Sequence, residues 1–168
     1  ELFLLNRKRF ARQIKPEALA IFHSNDKLPR NGDQFFHFRQ NSDFFHLSGV
    51  DQEETVLVLF PDCVREEMRE VLFIKKTNER IATWEGHKLT KAEATEKSGI
   101  KQVLCLDDYE NSLHQLMLMA KHVYINTNEN SHFSSPVPSR DVRFAKQLME
   151  RYPVHQYHRS QPIMRKMA

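Results

Sequence analysis

The amino-acid sequence predicts an α/β fold: a single domain in which a mixed, mostly central β-sheet is flanked by helices. Two segments, residues 55–60 and 70–75, consist largely of big apolar residues and predict buried strands that pair as a hairpin. Downstream of them, short apolar segments alternate with segments of helical periodicity, as strands and helices do in α/β domains. No internal repeat, low-complexity tract or linker divides the chain, so residues 1–168 are expected to form one domain.

The first sixty residues predict six elements in order. They are a helix (2–14), a buried strand (17–23), a loop (24–33), a short strand (34–39), one helical turn (43–49) and a buried strand (55–60). Apolar residues at helical spacing, with basic residues between them, define the first helix, and Pro16 ends it. Gly49 is expected to close the helical turn, because glycine readily adopts the left-handed conformation found there.

The remaining segments predict, in order, a surface connection (61–69), a strand (70–75), a helix (90–98), a strand (102–106) and a helix (107–120). A strand (122–126), a polar loop (127–138), a helix (139–152) and a last strand (154–157) follow. Thr90 and Glu93 have the spacing of a capping box, and Gly99 ends that helix. Pro162 predicts the start of a further helix.

Composition narrows the possible partners and the compartment. The formal charge is +3, and the basic residues are mixed with acids, so we expect neither a nucleic-acid partner nor a membrane; the basic stretches at 6–12 and 159–166 are interpreted as solvated helix faces. At the N-terminus the apolar run precedes the basic run, the reverse of a secretory signal. Together with only two cysteines, this order predicts a cytoplasmic protein with free thiols.

The residues offer no complete catalytic or metal site. There is no HExxH motif, and His155 and His158, three apart, have no acidic or cysteine partner nearby, so they are interpreted as surface histidines. No GxSxG elbow and no glycine-rich phosphate loop occur. Cys105, in an apolar strand, is expected to be a core residue, whereas Cys63 follows a turn and could be exposed.

One segment carries a family signature. Residues 38–44 read FRQNSDF, flanked by a short aromatic strand before and a Leu-Ser-Gly turn after, and this resembles the N-terminal domain of the aminopeptidase P family. Three weaker segments follow in the family's order, LF at residues 72–73, WEGHKL at residues 84–89 and QPIMRKM at residues 161–167. The chain departs from the pattern at Phe45-His46 and at Val50, where other aromatic residues are usual.

The resemblance implies a creatinase/prolidase-type N-terminal domain fold and a parent enzyme, an Xaa-Pro aminopeptidase, that removes an N-terminal residue preceding proline. It implies a C-terminal catalytic domain, absent from this chain, that holds two divalent metal ions, typically manganese. This chain would then contain no catalytic residue, no metal ligand and no cofactor, and alone would be inactive. Its implied partners are its own catalytic domain, further copies in a dimer or tetramer, and a peptide with proline second.

Site residues follow from the same resemblance. Trp84 occupies the position of the tryptophan that, in bacterial members, reaches the active site of a neighbouring subunit. From the residues alone, Trp84 is either a stacking wall or interface anchor, or a cap on the local hydrophobic core. The signature itself contributes Arg39, Gln40, Asn41, Ser42, Asp43 and Phe44.

Arg39 and Asp43 allow two interpretations. They could recognise substrate charge, or they could form a structural pair in which Asp43 caps the following turn. We favour the structural pair.

Two other functions share this fold. One is a non-catalytic protein-binding module, like the pseudo-peptidase half of a histone chaperone. The other is the N-terminal domain of a prolidase. The metal ligands of the catalytic domain would separate the binding module from the peptidases.

Overall fold

Strands form where large apolar residues follow one another without interruption, and helices form between them. The computed structural model describes residues 1–128 and 135–168 of the chain. Its strands are β1 (Ala18–His23), β2 (Pro29–Asn31), β3 (Gln34–Phe35), β4 (Val56–Leu59), β5 (Glu70–Ile74), β6 (Gln102–Cys105), β7 (His122–Ile125) and β8 (Gln156–Arg159). Its α-helices are α1 (Leu2–Ala11), α2 (Ser42–Ser48), α3 (Glu79–Glu85), α4 (Lys91–Ser98), α5 (Tyr109–Met119), α6 (Arg140–Arg151) and α7 (Gln161–Met167).

Six of the strands in the described part of the chain form one mixed sheet in the order β6-β5-β4-β1-β7-β8. Strand β4 is antiparallel to both of its neighbours, β1 and β5, and the other pairs are parallel. The prediction of a mixed central sheet and of a β4–β5 hairpin is therefore confirmed.

Two hydrophobic cores lie on opposite faces of this sheet, because successive side chains of a strand point to opposite sides. The first core contains Leu19 and Ile21 of β1 and is covered by α5 and α6. The second core contains Ala20 and Phe22 of the same strand and is covered by α1, α2, α4 and α7. Burial on both faces explains why β1 and β4 consist of buried residues throughout.

The connections that leave neighbouring parallel strands go to opposite faces at three places in the described part of the chain. After β1 the chain reaches α2 on the second core, whereas after β7 it reaches α6 on the first. After β7 the chain reaches α6 on the first core, whereas after β8 it reaches α7 on the second. After β5 it reaches α4 on the second core, whereas after β6 it reaches α5 on the first. Where adjacent parallel strands diverge in this way, a crevice opens at their carboxyl ends.

Local capping signals hold two of the helices on the second core. The Thr90 hydroxyl accepts from the Glu93 amide and the Glu93 carboxylate accepts from the Thr90 amide, which confirms the predicted capping box of α4. Gly49 ends α2 with φ +70°. A Cβ at Gly49 would lie 2.3 Å from the ring of Phe3, so glycine also lets α1 pack against the end of α2.

Several predicted boundaries were wrong. Residues 24–33 do not form a loop throughout, because residues 29–31 pair with 34–35 in a two-stranded hairpin outside the main sheet. The strand predicted over 34–39 ends at Phe35. The last strand begins at Gln156 rather than 154.

Helical structure also differs from the prediction in two places. The first helix ends at Ala11, three residues before the predicted end. Residues 79–85, for which no helix was predicted, form helix α3, and Trp84 lies on it. The polar loop predicted over 127–138 falls partly outside the described residues. None of the helices in the described ranges is both long enough and apolar enough to cross a membrane.

Candidate functional site

The side chain of Gln40 ties the start of the signature to two other loops. Its Oε1 accepts from the backbone amides of Asn25 (3.2 Å) and Asn41 (2.9 Å). Its Nε2 donates to the carbonyls of Val50 and Gln52, each at 3.0 Å. A single amide thus satisfies four backbone groups, and we assign Gln40 a structural role.

Asn41, and not Asp43, caps helix α2. The Oδ1 of Asn41 accepts from the amides of Asp43 and Phe44, both at 3.0 Å, while Ser42 is the first helical residue. Phe44 then points its ring into the second core, where it is fully buried. The prediction that Asp43 caps this turn was wrong because asparagine and aspartate both suit an N-cap, and Asn41 is the one that precedes the helix.

Asp43, on α2, instead accepts hydrogen bonds from two other segments of the chain. Its Oδ2 accepts from Nδ2 of Asn126 (3.1 Å), just after β7, and from Nε2 of Gln161 (3.2 Å), the first residue of α7. Arg39 is exposed and forms no ion pair with Asp43 in the described part of the chain. The predicted Arg39–Asp43 pair is therefore wrong, and Asp43 joins α2 to β7 and α7.

A cleft of about 870 Å³ opens beside Asn126, at the carboxyl ends of β7 and β8. Its lining combines polar and charged residues with an apolar wall from α6; among the polar ones are Asn41, Asn126, Asp141, Lys146, His158 and Gln161. Two of these, Asn126 and Gln161, are the residues that donate to Asp43. The signature therefore borders this cleft, which lies between β7 and β8 at one of the three places where connections diverge.

A buried polar cluster lies behind this cleft. Nδ1 of His23, at the end of β1, donates to Oδ1 of Asp141 at 2.9 Å, and the Tyr109 hydroxyl donates to its Nε2 at 3.3 Å. All three residues are at least nine-tenths buried, so the imidazole is held neutral with its proton on Nδ1. Burial lowers the pKa of His23 even though Asp141 opposes that shift, and burial raises the pKa of Tyr109.

This cluster predicts a loss of stability in acid. The pKa of His23 is 6.5 in the unfolded chain and lower in the native one, so below pH 6.5 the unfolded state binds the additional proton. The free energy of unfolding should therefore fall by up to about 1.4 kcal/mol for each pH unit below 6.5, until the native pKa is reached. Denaturant unfolding at pH 7.5 and 5.5 measures the fall; it should be smaller in His23→Gln and unchanged in His37→Gln, a substitution at an exposed histidine. Equal pH dependence in wild type and His23→Gln would contradict this origin.

Trp84 is far more exposed than a core residue, with 83% of its surface accessible. It sits at the end of α3, whose first turn is capped by Asn78. Lys75, which precedes the helix, pairs with Glu85 (3.3 Å), the last residue of the helix. This exposure excludes the interpretation of Trp84 as a cap on the local hydrophobic core.

The segment that follows this helix is anchored to the rest of the domain by Lys88. Lys88 forms an ion pair with Glu53, and both side chains are largely buried. Burial would raise the pKa of Glu53, but the hydrogen bond from Lys88 lowers it. No hydrogen bond, ion pair or ring contact links Trp84 to the signature residues within the described ranges, so the structure leaves these two predicted features separate.

His155 and His158, which were interpreted as surface histidines, are more buried than predicted. His155 donates from Nε2 to the carbonyl of Met117 at 2.6 Å, and His158 lies against His122 with ring nitrogens 2.9 Å apart. Burial, with His122 and Lys15 nearby, lowers the pKa of His158. Among residues 1–128 and 135–168, no group of three or more His, Cys, Asp or Glu side chains could hold a metal ion.

The burial of the two cysteines is the reverse of the prediction. Cys63 is buried in the first core, with 1% of its surface exposed, in the same cluster as Met68 of the 3₁₀ turn that follows it. Cys105 is half-buried, and its Sγ lies 3.5 Å from Oδ2 of Asp107. Both thiols are free. The strand pattern that predicted a buried Cys105 did not reveal that it is the last residue of β6.

Known proteins match this chain in sequence. The sequence model of the family described as "Aminopeptidase P, N-terminal domain" matches residues 3–124. An Xaa-Pro aminopeptidase of Escherichia coli is 29% identical over 115 residues, which are 68% of this chain and 26% of that protein. An Xaa-Pro aminopeptidase of Haemophilus influenzae is 22% identical over 117 residues, 70% of this chain and 27% of that protein.

Solved structures match over nearly the whole chain. A Bacillus anthracis protein assigned to aminopeptidase P superposes with a TM-score of 0.86 at 25% identity, covering 99% of this chain and 39% of that one. Aminopeptidase P of Escherichia coli superposes with a TM-score of 0.78 at 24% identity, covering 99% and 38%. The chain therefore spans about a quarter to two fifths of the length of these relatives. With the family match covering more than half of its residues, the chain belongs to the aminopeptidase P N-terminal domain family.

Proposed function

We propose that this chain is the non-catalytic N-terminal domain of a metal-dependent Xaa-Pro aminopeptidase, an enzyme that removes the N-terminal residue of a peptide when proline is the second residue. The family match over residues 3–124 carries the proposal. The names of the relatives favour this activity over that of a prolidase. Two free thiols are in keeping with a cytoplasmic enzyme.

The hydrolytic chemistry is assigned to a catalytic domain outside this chain. The described residues provide no cluster of metal ligands, so no step of the reaction is assigned to them. Two divalent metal ions, manganese by resemblance to the family, would be held by that other domain and would supply an activated water there. The contribution of this chain is then to shape the site and to assemble the enzyme.

Trp84 is the residue through which the domain would shape the active site. Its indole is exposed on α3, and an exposed aromatic ring offers a flat apolar face on which a proline ring can stack. We assign Trp84 to the wall of the active site of a neighbouring subunit. Two ion pairs at the C-terminal end of α3, Lys75–Glu85 and Lys88–Glu53, would hold the indole in place.

Assembly into a dimer or tetramer is supported by apolar residues left at the surface. Leu28, Phe35 and Phe36, on and beside the β2–β3 hairpin, have about half of their surface exposed. A cluster of this kind at the surface is characteristic of a contact with another protein. We therefore expect the hairpin to contribute to the contact between subunits.

The replacement Trp84→Ala tests the proposed role of the indole. In the protein that contains both domains, it should lower kcat/KM for an Xaa-Pro peptide by about 10-fold or more, as loss of an aromatic anchor does. Because Trp84 is exposed, the midpoint of unfolding should stay unchanged. Leu118→Ala, which removes another exposed apolar side chain, is the matched control and should leave kcat/KM unaltered.

A mixing experiment shows whether the indole acts on a neighbouring subunit. Subunits with Trp84→Ala are combined with subunits that keep Trp84 but lack a metal ligand in the catalytic domain. Activity should reappear in the mixed oligomer if the indole of one subunit completes the site of another. Failure to recover activity would place Trp84 in its own subunit's site, and a full-length protein without any peptidase activity would favour the protein-binding module.

A further inference from the structure

A second pocket, of about 420 Å³, lies at the carboxyl ends of β5 and β6, away from the signature. Ile74 and Cys105 are paired in register at these ends, and together with Leu89 they form an apolar floor. The volume falls within the range of small-molecule sites, about 300–1,000 Å³. We name it the β5–β6 pocket.

The position of the pocket is one where α/β sheets bind ligands. Strands β5 and β6 are parallel neighbours, and the chain leaves them towards opposite faces of the sheet, to α4 and to α5. Ligands of open α/β sheets bind in the crevice that this divergence creates. Another such crevice, beside Asn126 at the ends of β7 and β8, borders the signature.

Charges of both signs surround the apolar floor, and they come from different connections. Lys76 and Lys91 lie on the connection that follows β5, whereas Asp107 and Asp108 follow β6. In the described part of the chain none of these four forms an ion pair, and Asp107 contacts only the thiol of Cys105 through its side chain. Lys75, by contrast, is already paired with Glu54 and Glu85.

A ligand that suits this lining carries one charge of each sign around an apolar body. We propose that the β5–β6 pocket binds a zwitterionic free amino acid or short peptide with an apolar side chain. Its carboxylate is held by Lys76 and Lys91, its ammonium by Asp107 and Asp108, and its side chain rests on the floor. Every group involved lies in this chain, so the proposed binding does not depend on the proposed peptidase function.

Ligand binding in this pocket would also restrain helix α3. Thr77 precedes that helix and Leu89 and Thr90 follow it, and all three line the pocket. A bound ligand would therefore hold both ends of the segment that carries Trp84. Since Trp84 is the sole tryptophan of the chain, its fluorescence reports on that segment.

Alkylation of Cys105 provides the direct test. Iodoacetamide should label Cys105 in the 168-residue chain and spare Cys63, which is buried. L-Leucine or leucyl-leucine, at about ten times its Kd, should slow labelling about 10-fold because only the free pocket reacts. Two matched probes each lack one charge: 4-methylpentanoate has no ammonium, and 3-methylbutylamine has no carboxylate.

The outcomes separate the proposal from its rivals. We expect protection by the zwitterions alone, a change in Trp84 fluorescence over the same concentrations, and a Kd raised at least about 10-fold by Lys76→Gln with Lys91→Gln. Lys101→Gln, at an exposed lysine outside the pocket, is the control and should leave Kd unchanged. Absence of protection up to the solubility of L-leucine, equal protection by 4-methylpentanoate, or equal weakening by Lys101→Gln would each overturn the proposal.

Discussion

Replacing Phe44 with alanine is expected to lower the free energy of unfolding by about 3–5 kcal/mol, the usual cost of truncating a fully buried phenylalanine. Phe44 has no exposed surface and lies in the second core, where it holds α2 against the sheet. Alanine would remove the apolar contacts of the ring and leave a cavity that the surrounding side chains fill only in part. Unfolding in denaturant, followed by far-UV circular dichroism, measures the difference.

The neighbouring residue is the control for that experiment. Phe45 is on the same helix, but 42% of its surface is exposed, and its ring meets only the edge of Phe3 among the described aromatic pairs. Phe45→Ala should cost about 1 kcal/mol or less. Similar losses at the two positions would mean that burial of Phe44 is not what secures α2.

The replacement Gln40→Glu should be the next most damaging change in the signature, at about 2–4 kcal/mol at pH 7. Glutamate has the shape of glutamine but replaces the donor Nε2 with a second oxygen. That oxygen would face the carbonyls of Val50 and Gln52, which now accept hydrogen bonds at 3.0 Å. Two hydrogen bonds would be exchanged for two repulsive contacts in a half-buried site.

Acid should relieve part of this loss. Repulsion from two carbonyls raises the pKa of the introduced carboxyl in the native state, and once protonated it can donate one hydrogen bond. The stability gap between wild type and Gln40→Glu, measured in denaturant, should therefore be smaller at pH 5 than at pH 7. Gln34→Glu, at an exposed position on β3, should show neither the loss nor the pH dependence; if it does, the effect belongs to net charge and not to Gln40.

Elements with local signals were predictable from the sequence. The hairpin of β4 and β5 follows from two dense apolar segments, and the start and end of α4 follow from Thr90, Glu93 and Gly99, which act within a few residues of each other. Helix α6 likewise begins after its cap, Ser139. Interactions of this range depend on neighbours in the chain, so the sequence contains them.

Features decided by distant contacts were not predictable. The short β2–β3 hairpin is an exception, because its contacts are local and Asn31-Gly32 at its turn is a hairpin signal, but its strands contain Pro29 and exposed residues without an apolar pattern. The burial of Cys63 depends on packing against the first core, which local sequence does not report. Trp84 lies in a polar stretch before Gly86, and the helix that carries it has no buried residue to give it an apolar stripe.

The signature and the β5–β6 pocket differ in how far apart their residues lie in the sequence. The signature was recognisable because residues 38–44 are contiguous, although its hydrogen bonds to Asn126 and Gln161 were not foreseeable. The β5–β6 pocket gathers Lys76 and Lys91 from the connection that follows β5 and Asp107 from the one that follows β6. Only the order of strands in the sheet brings these residues to one edge, so no spacing in the sequence could have revealed them.

The place of β1 in the sheet has a consequence for how the chain is made. One neighbour, β4, is close in sequence, but the other pairs Ala18 with His122, so β1 completes its hydrogen bonds only after most of the chain exists. At about 5–20 residues per second, a ribosome needs about 5–20 s to synthesise the intervening residues. Through that interval β1 keeps an open, apolar edge, which is the kind of edge that pairs with other chains. The nascent domain should therefore depend on chaperones until β7 emerges, and strand order in the finished sheet sets the length of that dependence.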